Sequence, residues 1–96
     1  MTIDFEKLKE NLDTLNGYDF EEAEKNERRA GNLAVEIGTS RPFQARIAAR
    51  ALEIPYPEIQ ALSIREYNRV CLEVFNFLYG QLDENATSSQ STENLQ

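Results

Sequence analysis

The stretch Ser63 to Gly80, SIREYNRVCLEVFNFLYG, constrains this chain more than any other. Ser63 and Glu66 have the S-x-x-E spacing of a capping box. The hydroxyl can accept from the backbone N–H of Glu66, and the Glu66 carboxylate can reach back to the cap. Leu62 and Tyr67 flank the cap at the spacing of a hydrophobic staple. Tyr67, Val70, Cys71, Val74, Phe77 and Leu78 recur at helical intervals and line one face, which Ile64 and Phe75 widen. Gly80 supplies the stop. This is the signature of the core helix of a small domain, and by itself it carries no chemistry.

The rest of the chain has to supply what that helix packs against. Phe5, Leu8, Leu12 and Leu15 form a narrow stripe within an expected helix from Thr2 to Asn16, with Asp4 and Glu6 in its first turn and Gly17 at its end. Such a helix is marginal alone in water and must dock on something. Asp19 and Glu22 offer a second capping box. The residues after it are mostly charged, so an exposed helix or linker is expected up to a turn at Gly31-Asn32. Leu33, Val35 and Ile37 alternate with Ala34 and Glu36 as in a short strand, with a helix over 22–37 as the competing reading.

Thr39-Ser40-Arg41-Pro42 starts a further helix, whose apolar face carries Phe43, Ile47, Ala48, Ala51 and Leu52. Arg46 and Arg50 fall on its other side with Arg41 nearby; a solvated face pairing with acids such as Glu53 is expected, with contact to an acidic partner or a phosphate as the competing reading. Ile54-Pro55-Tyr56-Pro57 breaks that helix. One short turn with Ile59 and Leu62 facing inward then leads to Ser63. The segment 81–96 is polar and rich in Ser, Thr, Asn and Gln, the composition of a disordered tail.

The fold class expected is therefore mainly α: a small helical domain with at most one short β-strand and a disordered C-terminal tail. Residues 1–80 form one domain, divided into an acidic N-terminal helical extension, 1–32, and a core, 33–80. With 96 residues, only a modest core is available.

A formal net charge of −7 disfavours nucleic acid as a partner, because phosphate binding needs clustered Lys and Arg. The excess acid lies in the flanks: residues 1–32 carry nine acids against five bases, 33–80 five against five, and 81–96 three against none. The single Cys71 cannot form an intramolecular disulfide. The opening MTIDFEKLKE has no apolar signal-peptide core, and no apolar run is long enough to span a bilayer. A cytoplasmic location with no membrane partner is expected. The chain has no His, no zinc-ligand spacing, no nucleotide-binding glycine motif and no calcium-loop pattern. The expectation is a non-enzyme without cofactor, metal or catalytic residue.

Residues 49–78, ARALEIPYPEIQALSIREYNRVCLEVFNFL, resemble a segment of the small tail assembly chaperones of long-tailed phages and prophages. Ile54-Pro55, Ile59, Leu62, Glu66-Tyr67, Val70, Val74 and Phe77-Leu78 occupy the matching places. The stretch Leu33-Val35-Ile37, followed by Pro42, is similar to the strand and proline that precede that segment, so the resemblance covers residues 33–79. It implies a chaperone that coats the tape-measure protein and delivers it to tail-tube subunits in the host cytoplasm. In this family a programmed frameshift often appends a second domain near the C-terminus. Under this reading Phe5, Leu8, Leu12 and Leu15 are the apolar residues the core can best spare. They are therefore the expected surface for a partner or for self-association. The alternatives are a small acidic inhibitor presenting carboxylates from 19–27 to a basic protein, and an adaptor that dimerises through the main helix.

Overall fold

The computed structural model describes residues 2–80, and among them five helices follow in chain order. They are α1 (Phe5–Leu12), α2 (Gly17–Arg29), α3 (Arg41–Leu52), α4 (Tyr56–Gln60) and α5 (Ile64–Phe75). A 3-10 turn at Ile37–Thr39 precedes α3, and a π turn at Asn76–Gly80 closes α5. No strand occurs among the described residues, so the mainly helical expectation holds. The expected tail at 81–96 lies outside them.

Capping sets the boundaries. The Asp4 carboxylate accepts from Lys7 N, which starts α1 there rather than at Thr2. Asn16 then takes over as the cap of α2. Its Oδ1 accepts from Tyr18 N and Asp19 N, while Asp19 Oδ2 accepts from Asn16 N, a complete capping box. The box expected at Asp19–Glu22 is thus displaced by one turn, and Gly17 opens α2 instead of ending α1. Ser40 caps α3 through Phe43 N, with Pro42 in the first turn. Glu53 ends that helix in the left-handed region at φ 57°, and Ile54 N returns to Ala49 O. Ser63 caps α5 through Glu66 N. The Glu66 carboxylate does not close the expected box; it accepts from Ile3 N at 3.1 Å and ties the N-terminal segment to α5.

The centre of the molecule is α3, which touches α1, α2, α4, α5 and the 3-10 turn. Four of its residues, Ala45, Ala48, Ala49 and Ala51, are buried alanines. Side chains that short let neighbouring helices approach on several sides, while Phe43, Ile47 and Leu52 fill the gaps. The Phe20 and Phe43 rings meet edge to face at 4.8 Å. From α5, Val70, Cys71 and Val74 complete the wall, with Tyr67 and Leu78 packed at its margin.

The division into extension and core is not what the structure adopts. Leu8, Leu12 and Ala23 belong to the same buried cluster as α3 and α5. Asn11 Nδ2 also donates to Ala51 O at 2.8 Å, satisfying a carbonyl at the end of α3. The expected strand is replaced by a loop from Asn32 to Glu36, because no strand lies beside it among the described residues and local side chains hold its backbone instead.

Replacing a buried leucine should therefore cost far more than replacing a large exposed one. Leu12→Ala is expected to lower stability by about 2–5 kcal/mol. Ile64→Ala should change it by less than about 0.5 kcal/mol. Urea unfolding followed by circular dichroism compares the two directly.

Candidate protein-docking surface

Helix α5 has two apolar faces, and the domain uses only one. Val70, Cys71 and Val74 point inward. Ile64, Asn68, Leu72 and Phe75, spaced four, four and three residues apart, form a second stripe that faces solvent. Ile64 is 81% exposed, Leu72 56% and Phe75 36%. The width attributed to a single buried face is therefore two adjoining faces, and Ile64 and Phe75 lie on the outer one. Between this stripe and the start of α3 runs an open groove of about 330 Å³, lined by Thr39, Arg41, Gln44, Asn68, Leu72 and Phe75. The Tyr79 ring stacks beside Phe75 at 5.2 Å and covers Gly38, where a Cβ would collide with its hydroxyl.

The loop leading to that groove carries two further exposed apolar side chains, Leu33 (88%) and Val35 (101%). Its backbone is nevertheless anchored. Arg28 Nη1 donates to Asn32 O at 3.1 Å and to Ala34 O at 2.6 Å. Ala34 N donates to Asn32 Oδ1, and Asn32 Nδ2 donates to Glu27 Oε2 and Ser40 Oγ. The display of Leu33 and Val35 is thus built into a hydrogen-bonded loop.

The residues expected to meet a partner are largely spent inside. Leu8 and Leu12 are fully buried between α1 and α3 and cannot be the spare surface assigned to them. Phe5 is half-buried beneath the Arg69 guanidinium, 3.9 Å from its ring centroid. Leu15 alone of the four borders an open groove, an apolar one of about 290 Å³ that it shares with Phe20, Ile47, Phe77 and Leu78. The reason is geometric: the stripe is narrow because α3 presents a narrow, alanine-lined strip for it to cover.

The charged residues also differ from expectation. Arg50 stays exposed and Arg46 is half-buried, and both pair with acids of α2 in place of Glu53. Arg46 Nε donates to Glu27 Oε1 at 2.6 Å, and Arg50 grips Asp19 Oδ1 at 2.8 Å, so both bind α2 to α3. Glu27, expected on a solvated acidic face, is buried. The backbone N–H of Asn16 and then Arg50 hold the Asp19 carboxyl below its ordinary 3.8. Burial pushes the Cys71 thiol up to about 11, against opposing contributions from Tyr67 and Arg41. Its Sγ–H donates to Arg41 O.

Among the described residues there is no cluster of metal-ligating side chains, and no helix is long and apolar enough to cross a membrane. What the surface offers is apolar contact area beside an open groove. Comparison of the chain with family models, curated proteins and solved structures finds no match.

Two outcomes follow from this geometry. Glu27→Ala strips a buried charge pair of one partner, and is expected to cost about 3–5 kcal/mol. It should also speed amide exchange at Ala34, whose loop Glu27 anchors through Asn32. The raised thiol value means that burial of neutral Cys71 contributes stability below about pH 9, which fades as pH rises from 9.0 towards 11. At pH 8 the native thiol should resist iodoacetamide and react fully after denaturation, as intact mass will show.

Proposed function

We propose that this chain is a non-enzymatic chaperone of phage tail assembly that binds the tape-measure protein, and hands it to tail-tube subunits, in the host cytoplasm. The observation that carries the reading is the outer stripe of α5, with Ile64, Leu72 and Phe75 left open beside a groove in an otherwise acidic, charge-rich molecule. An exposed apolar stripe of this kind marks a protein-binding surface, and a helix lying in a groove is a standard way to fill one. A tape-measure protein is long, helical and striped with apolar residues that aggregate when uncovered. Many small domains along it add avidity without tight individual contacts. The resemblance over residues 49–78 supports the same role; its preceding strand at Leu33–Ile37 does not form. The contact surface in this proposal is α5 with the adjoining groove, in place of the α1 stripe.

The acidic-inhibitor alternative draws less support. It needs the carboxylates of 19–27 to stand free, and Asp19 and Glu27 are committed to Arg50 and Arg46.

Co-expression with the tape-measure protein of the same genome tests the proposal. The client should be soluble and co-purify with the wild-type chain, and should precipitate with the double variant Leu72→Asp/Phe75→Asp, whose circular dichroism should stay native. A client equally insoluble with and without the wild-type chain would sink the assignment.

A further inference from the structure

Every arginine in residues 33–80 either pairs with an acid on α2 or borders the outer stripe of α5. Arg46 and Arg50 are taken by Glu27 and Asp19. Arg41 lines the groove opposite Leu72 and Phe75. Arg65 follows Ile64 on α5, at the edge of the stripe, and Arg69 lies one turn further along the same margin. The stacking of Arg69 on Phe5 holds that margin against α1. Among the described residues no carboxylate lies within ion-pair distance of Arg41, Arg65 or Arg69. In a chain of net charge −7, Arg41, Arg65 and Arg69 thus stand around the outer face of α5, none of them in an ion pair among the described residues.

We infer that this face docks an amphipathic helix of a partner protein whose apolar stripe is flanked by carboxylates. The inference rests on α5 being the docking face, and it adds the chemistry of the occupant. The stripe from Ile64 to Phe75 runs about 16 Å, matching three turns of a docked helix. Carboxylates on both flanks of that helix meet Arg41 across the groove on one side, and Arg65 and Arg69 on the other. A second copy of this chain is a poor occupant. Two-fold pairing through the same face sets arginine-bordered stripes against each other, which brings like charges together. A lysine-flanked helix is attracted by the net charge of the molecule but repelled at this face. The preference for carboxylates is therefore local, and opposite in sign to what bulk electrostatics gives.

That opposition makes the test sharp. Two fluorescent helical peptides of about 20 residues share one leucine heptad stripe. One carries Glu at the flanking positions and the other Lys. Anisotropy titrations with the full chain are expected to show the Glu peptide binding roughly tenfold tighter, with the gap narrowing at about 0.5 M salt. Arg41→Glu/Arg65→Glu, both changes at exposed positions, should reverse the order. Leu72→Asp should weaken both peptides. Equal binding, or a Lys preference, with both peptides still lost on Leu72→Asp, overturns the inference while leaving α5 as the docking face. Failure of both peptides to bind removes the docking face as well. Sedimentation showing a dimer that Leu72→Asp converts to monomer would give the face to a second copy and overturn the inference. Should the double charge reversal not fold, the wild-type comparison of the two peptides still decides.

Discussion

The contact between Glu27 and Arg46 holds more of this molecule in place than its size suggests. The carboxylate is buried in α2 and takes the Arg46 Nε of α3 at 2.6 Å through one oxygen. Its other oxygen accepts from Asn32, whose amide also reaches the Ser40 hydroxyl that caps α3. The same Arg46 guanidinium lies 4.1 Å from the Tyr56 ring at the start of α4. One charge pair therefore touches α2, the cap of α3 and the start of α4 at once, beside the Asp19–Arg50 pair and the Phe20–Phe43 contact. Removing two charges from water is costly, and the cost is offset only when hydrogen bonds satisfy the remaining lone pairs and protons. Here Asn32 supplies that second bond.

Around this pair the fold solves a size problem. A domain this small has little apolar volume, and it uses α3 as a thin central post on which four helices converge. Alanines make the post thin, and the narrow stripe of α1 is the right width to close one side of it. Because α1 is consumed in this way, the apolar surface left for another protein moves to the far side of α5. The pinned loop at 32–36 adds Leu33 and Val35 to what remains exposed.

The distribution of arginine follows the same logic. In α3, half-buried Arg46 and exposed Arg50 clamp α2 through Glu27 and Asp19. Arg41, Arg65 and Arg69 are set around the open stripe. Net charge alone describes this chain as acidic, whereas three arginines border the outer stripe of α5. That contrast gives the docking face a chemistry distinct from the rest of the molecule, and it is why a carboxylate-flanked helix suits it.

Much of the fold was legible in the chain itself. The caps at Ser40 and Ser63, the break at Pro55 and Pro57 and the inward face of α5 are local features, set by backbone geometry and the spacing of neighbouring residues. They survive in the structure with small shifts. The expected strand at Leu33–Ile37, the placing of residues 1–32 outside the core and the role of the α1 stripe did not survive, for one shared reason. Each depends on what lies across space. The alanines of α3 give a weak periodic signal, so its central position was hidden, and with it the surface that claims Leu8 and Leu12. The pairing of Glu27 with Arg46 spans nineteen residues and leaves no local trace. Sequence alone determined α3, the proline break and the capped start of α5, because capping and periodicity act within a turn or two. Tertiary packing decided which apolar face is core and which is left open, because only the neighbours on α3 determine how much of each stripe is covered.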